Sequence, residues 1–194
     1  IELAKKLQPK VVVAENVKGM LLGGGRLIVD KILTAFAEAG YYVTYKLLDA
    51  SKMGVPQRRE RVFFTAIRKD IYKGDFADLF QTEPVIDLSF NQPEIKCGDF
   101  CEFEEKRETI NYSEARFGDV IIDKDRAATT ITSGVRFWES ENMILKSHCY
   151  NLIGSYPTDY DFKGDNVYMI GMSVPPLMTA GVADRVLNQW LNNL

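Results

Sequence analysis

The segment Gly54 to Phe64, GVPQRRERVFF, sets Gln57, Arg58, Arg59 and Arg61 immediately ahead of an apolar, strand-favouring run. Any fold of this chain has to place three guanidinium groups at the beginning of a strand. Val62, Phe63, Phe64, Ala66 and Ile67 supply the strand-formers, and Gly54 and Pro56 punctuate the approach to them. If extended geometry reaches back through the loop, Gln57, Arg59 and Arg61 point one way, and Arg58 and Glu60 the other. Planar forks and an amide on one side suit a group rich in acceptor oxygens, such as a phosphate backbone or a pyrimidine carbonyl. Taken alone, a run of this kind is more often a solvated, charged edge strand.

The surrounding pattern is that of an α/β sheet. Glu2 to Leu7 has helix-forming composition, Pro9 closes it, and Val11 to Ala14 reads as a buried-type strand. Ile28, Ile32, Leu33 and Phe36 recur at helical spacing up to Gly40, and Tyr41 to Leu48 and Val62 to Ile67 read as strands. Helix, strand, helix, strand, strand predicts the edge of an open α/β sheet that closes with a hairpin. Beyond Asp70 the periodicity fades. The prolines at 84 and 93 and the Thr-rich AATTITSG of Ala127 to Gly134 predict a small irregular β-rich or mixed domain. Helical spacing returns at Leu177, Val182, Val186, Leu187 and Trp190.

A chain of 194 residues with 46% apolar residues has room for one domain or two small ones around an ordinary core. Its apolar runs fall short of the ~18 residues of a spanning helix, so no membrane partner is expected and the location is read as cytoplasmic. Three cysteines, Cys97, Cys101 and Cys149, have no framework-like spacing, which favours a reduced compartment. A net charge of −3 argues against general polyanion coating, so any contact with a polyanion has to be local. Arg58, Arg59, Arg61, Arg68 and Lys69 form one basic cluster, while Glu102, Glu104, Glu105 and Glu108 form an acidic stretch. The amphipathic turn at Ile1, running straight into a core strand, reads as the continuation of something longer.

Three segments in order, KVVVAENVKGM with Glu15 and Asn16, QRRER at Gln57 to Arg61, and GMSVPPLMTAGVADRVL near the carboxyl end, together resemble the bacterial cytosine-5 DNA methyltransferase family. The resemblance covers the family's carboxyl-terminal portion. It implies the edge portion of a methyltransferase-type Rossmann-like sheet plus a small target-recognition domain. The divisions expected are 1–70 for the catalytic part, 71–160 for the recognition domain, and 161–194 for a closing segment and helix.

In that family a cysteine thiolate adds to C6 of a flipped-out cytosine in double-stranded DNA, C5 takes the methyl group of S-adenosylmethionine, and a base removes the C5 proton. Glu15 matches the glutamate that binds N3, where ring charge gathers, and Asn16 would orient it. Without the other motifs, the pair is more readily a strand end making local backbone bonds. Arg61 matches the arginine that donates to the cytosine O2, and Arg59 the one that braces the reacting groups and nearby phosphate; a planar fork suits both tasks. Gln57, Arg58, Arg126, Thr130 and Thr132 are expected on the DNA side. Flipping costs a few kcal/mol of stacking that such contacts return. Ser173 and Val174 match the segment that closes the cofactor pocket. No residue is assigned to a metal; a zinc site from Cys97, Cys101, His148 and Cys149 has the wrong spacing.

The sequence also departs from the family. Met172 stands where asparagine is usual, and His148 and Cys149 replace an Arg-Glu pair. No cysteine follows a proline, as the family nucleophile does, and the Phe-x-Gly-x-Gly cofactor turn has no counterpart. The expectation is the later part of a DNA cytosine-5 methyltransferase, inactive alone, whose amino-terminal half is supplied in cis or as a separate chain. The alternative is a non-catalytic DNA-binding or regulatory module derived from such an enzyme. A weaker third reading is an unrelated α/β domain that matches by chance.

Overall fold

The computed structural model describes residues 1–72, 84–106 and 118–194. Glu108, the last residue of the acidic stretch, lies outside them. The chain divides into two compact units. The first comprises Ile1–Leu48, Glu60–Ser89 and Val182–Leu194; the second comprises Asp49–Arg59 and Phe90–Gly181. These units do not follow divisions at 70 and 160, because neighbours distant in sequence hold each segment. The 49–59 stretch bonds to residues 128–131 and 153, and the 84–89 stretch bonds to residues 46, 185 and 189.

The first unit contains helix α1 (Glu2–Leu7), strand β1 (Val11–Val17), helix α2 (Gly25–Glu38), and strands β2 (Tyr41–Asp49) and β3 (Glu60–Arg68). The sheet order is β1-β3-β2, so the last strand in sequence is central. This accounts for its composition. A central strand is covered on both faces, and residues 62–67 are all buried, which a continuous apolar run allows and an alternating one would not. On one face Val62 and Phe64 pack with Val29 of α2, and Ala66 packs with Phe36 and Tyr41. On the central strand Thr65 meets the hydroxyl of Thr44 at 3.2 Å, so the one polar side chain among residues 62–67 is satisfied. Strands β1 and β3 run antiparallel, with Glu15 opposite Phe63 and Val17 opposite Arg61.

Strand β1 lies at the sheet edge, and Val13 and Val17 on it are exposed. Beside it opens an apolar cavity of about 440 Å³ lined by Ala4, Val12, Ile32, Phe36 and Phe64, with Glu15 and Asn16 among its walls.

The second unit is built on a four-stranded mixed sheet, ordered β4-β7-β6-β5, of β4 (Phe103–Glu105), β5 (Asp119–Ile121), β6 (Arg136–Ser140) and β7 (Met143–Leu145). Strand β5 pairs parallel with β6, and the other pairs are antiparallel. Helices α3 (Ser147–Ile153) and α4 (Asn166–Met172) share one core with the sheet, in which Ile131, Phe137, Cys149, Tyr150, Ile153 and Ile170 are buried. Tyr150 stacks on Phe137 at 5.6 Å and accepts the Phe137 N–H on its hydroxyl at 2.8 Å. Arg136 grips Asp119 with two bonds of 2.8 and 2.9 Å, and the Trp138 indole adds a third. The Thr-rich stretch 127–134 is irregular, touching the sheet pattern only as an isolated parallel bridge between Ala128 and Gln57. The carboxyl-terminal helix α5 spans Pro176–Gln189.

Candidate functional site

Within the first unit, antiparallel pairing of β1 with β3 brings Glu15 and Arg61 together. They lie on the diagonal of the register, where long side chains still reach each other, and Arg61 Nε stands 2.8 Å from Glu15 Oε1. The distance is that of an ion pair but the angle is not that of a hydrogen bond. The buried Oε1 therefore has no hydrogen-bond donor among the described residues. The Arg61 side chain is 13% exposed and that of Glu15 is 26% exposed, so both retain a face toward solvent. Burial draws the Arg61 guanidinium below its ordinary value, and the Glu15 carboxylate pulls it back. One Arg61 terminal nitrogen also donates to the Glu60 carbonyl. Asn16 does not reach Glu15 with a bond of its own; its Oδ1 accepts from Val17 N at 2.8 Å, the local backbone bond that the isolated pair suggests.

Within the second unit, Arg59 has a different environment from Arg61. It is 1% exposed, and its guanidinium donates to three backbone carbonyls: Ile131 at 3.0 Å, Gly171 at 2.8 Å and Ser173 at 2.7 Å. These acceptors come from the Thr-rich stretch, from α4 and from the residue that follows α4. A single buried cation thus fastens segments far apart in sequence, a task for which a rigid fork is suited. Gly171 permits it, because a Cβ there would stand 2.9 Å from the Thr132 carbonyl carbon.

Gln57, expected on the DNA side, is fully buried. Its amide nitrogen donates to the Ile153 carbonyl and its oxygen accepts from Ile131 N, both at 3.2 Å, so both ends of the amide are bound by the protein itself. Arg58 N donates to the Ala128 carbonyl, and Thr130 Oγ1 donates to the Arg58 carbonyl at 2.7 Å. Arg58 Nε is buried with no hydrogen-bond partner among the described residues. Arg126 and Thr132 are exposed. Ser173 donates its hydroxyl to Ile170 O, and Val174 is half-buried beside it in sequence. Sequence reasoning missed the acceptors of Arg59, since backbone carbonyls have no side-chain signature. It also missed Asp119, whose role depends on a strand pairing that periodicity does not reveal.

The family described as C-5 cytosine-specific DNA methylase matches residues 1–148, most of the chain. The chain belongs to that family. Among similar proteins, the type II methyltransferase M.BsuRI of Bacillus subtilis is 53% identical over 64 residues, which is 33% of this chain and 15% of that protein. M.BspRI of Lysinibacillus sphaericus is 36% identical over 123 residues, 63% of this chain and 24% of that protein. The matched part of the chain thus spans at most 24% of the length of these two curated relatives. Among solved structures, the Dnmt2 methyltransferase of S. pombe superposes with a TM-score of 0.63 at 16% identity, covering 96% of this chain and 68% of that one. The Entamoeba histolytica methyltransferase EhMeth gives the same score and identity over 93% of this chain and 63% of that one. At that identity the likeness is one of fold, an α/β methyltransferase architecture. Among the described residues no helix is long and apolar enough to cross a membrane.

Proposed function

We propose that this chain forms the carboxyl-terminal portion of a DNA cytosine-5 methyltransferase and contributes one wall of the pocket for a flipped cytosine. The observation that carries the reading is the contact between Glu15 and Arg61. The two side chains that the family pattern would set against the pyrimidine ring come from separate segments and meet at 2.8 Å on paired strands. A carboxyl directed at N3 and a guanidinium directed at O2 would stabilise the negative charge that builds on the ring when a thiolate adds to C6.

Arg59 acts here as a positioning residue. With its guanidinium occupied by three carbonyls, it supports the 131–173 framework rather than touching phosphate. Gln57 belongs to the same support. Contacts to double-stranded DNA fall to Arg126 and Thr132, which are exposed, with Thr130 and Arg58 beneath them.

S-adenosylmethionine supplies the methyl group in this chemistry. The residues assigned to it do not by themselves fit it, since the Ser173 hydroxyl and carbonyl are both bound within the chain and Val174 offers only apolar surface. The nucleophile and the main cofactor contacts are therefore assigned to an amino-terminal portion carrying a Pro-Cys motif, in cis or as a separate chain. Its docking place is the β1 edge, where Val13 and Val17 are exposed and, among the described residues, no strand pairs beyond β1.

The test is complementation. The amino-terminal part of a type II cytosine-5 methyltransferase is mixed with this chain, and transfer of labelled methyl groups to duplex DNA is measured. Transfer that requires both parts supports the reading, and tight S-adenosylmethionine binding by this chain alone overturns it. A non-catalytic DNA-binding module derived from the family is the second reading. The observation favouring it is Met172, 68% exposed where the family carries a polar asparagine. Duplex binding with no methylation in any complemented mixture selects that reading.

A further inference from the structure

The second unit holds a cysteine pair that the methyl-transfer reading leaves unused. Cys97 opens a 3-10 turn, Cys97–Asp99, and Cys101 N donates back to the Cys97 carbonyl at 2.8 Å. A bond from residue i+4 to residue i closes one helical turn and brings the two Cα atoms to about 6 Å, inside the range that a disulfide bridges. Residues four apart on one helical turn present their side chains on one face, and both sulfurs belong to one core, Cys97 within it and Cys101 packed against it. Cys97 is fully buried, and Cys101 is partly exposed. Two further groups favour negative charge on Cys97: the Ala128 backbone and the Arg58 guanidinium, whose Nε is buried without a hydrogen-bond partner among the described residues.

We propose that Cys97 and Cys101 form an oxidative modification site, a dithiol that closes to an intramolecular disulfide on reaction with hydrogen peroxide. The Cys97 thiolate attacks one peroxide oxygen, the O–O bond breaks, and the departing oxygen leaves as water after taking a proton. Cys97 now carries a sulfenic acid. The Cys101 sulfur attacks the Cys97 sulfur, the S–O bond breaks, and the hydroxide leaves as water with the Cys101 proton. The two sulfurs are oxidised by two electrons in total, and one peroxide is reduced to two waters.

The roles follow from the environment. The neighbouring Cys101 thiol holds the Cys97 thiol below its ordinary value against the effect of burial, and the Cys97 sulfur, with burial, pushes the Cys101 thiol up. Cys97 is then the attacking sulfur and Cys101 the resolving one. The burial of Cys97 restricts the oxidant to one near the size of water. Cys149 lies outside the pair; its sulfur accepts from Glu102 N at 3.2 Å, and burial pushes its thiol up. The turn also grips the neighbouring segment, with Cys97 N donating to Arg126 O and Gly98 N to Lys124 O, so closure is felt at the stretch leading to Thr130.

The experiment uses the chain alone and is independent of methyl transfer. The folded protein is treated with hydrogen peroxide, unfolded in a thiol alkylating agent, and digested with trypsin. Cys97 and Cys101 fall on one peptide, Cys97 to Lys106, and Cys149 on another. The expected result is a Cys97–Lys106 peptide lighter by two hydrogens and unalkylated, with Cys149 still alkylated. In Cys101→Ser the sulfenic acid persists and dimedone labels Cys97. Arg58→Gln, which removes a cation favouring the Cys97 thiolate, slows closure. Equal oxidation of all three cysteines, a bridge to Cys149, or no dimedone adduct on Cys97 in Cys101→Ser overturns the proposal.

Discussion

Glu15 and Arg61 face each other across the β1–β3 pair at 2.8 Å, one on the edge strand and the other near the beginning of the central strand. Their contact is a consequence of register. Shifting β1 by one residue would turn Glu15 to the opposite face and separate the pair.

The pair is partly exposed, so its contribution to stability is small. A double-mutant cycle with Glu15→Gln and Arg61→Ala should give a coupling of about 1 kcal/mol or less in urea unfolding. Turnover should respond far more. In a complemented enzyme each variant is expected to slow methylation by on the order of a hundredfold, with duplex affinity little changed. Equal rates for variants and parent would remove both residues from the chemistry.

Arg59 predicts the opposite balance. Arg59→Lys keeps the charge but cannot reach three divergent carbonyls, which leaves buried acceptors unpaired at a cost of at least about 3 kcal/mol. Thermal unfolding should show the loss in the absence of DNA or cofactor. A variant as stable as the parent would show that the three bonds are dispensable.

Gly171→Ala tests the same junction by sterics. The added methyl group would stand 2.9 Å from Thr132 C and 3.0 Å from Ser133 N, both backbone atoms with little freedom to move. A loss of about 1–3 kcal/mol is expected. Combined with Arg59→Lys it should cost less than the sum of the two, because both loosen one contact.

Tyr150 gives a pH signature. Burial pushes its hydroxyl from 10.0 up to about 12, so the folded state disfavours the phenolate. The sign follows from the raised value: the contribution is fully present below pH 10 and is lost as pH rises through 12. On the order of 2–3 kcal/mol should disappear across that window. Denaturant midpoints taken from pH 9 to 12 would show the decline, and Tyr150→Phe should flatten it.

The elements of the first unit were legible because each has a local cause. Pro9 stops α1, Gly40 ends the α2 region, and the run Val62–Ile67, apolar but for Thr65, is what a strand covered on both faces requires. The second unit was less legible. Its strands β4, β5 and β7 have three residues each, too few to display a period, and Asp119 is paired with Arg136 only by a parallel register that no local pattern encodes. In QRRER the sequence grouped Gln57, Arg59 and Arg61 by alternation. The structure separates them by role: Gln57 and Arg59 are internal braces of the second unit, while Arg61 joins Glu15 in the first.

By itself the sequence determined which segments are strands and helices in the first unit, and which residues could carry charge to a pyrimidine ring, because propensity and residue chemistry are local properties. Only the tertiary structure decided that Arg61 meets a carboxylate, and that Arg59 is spent on three carbonyls. Those outcomes depend on burial and on pairing between residues remote in sequence, and burial sets whether an arginine's donors are offered to a ligand or satisfied by the protein's own backbone.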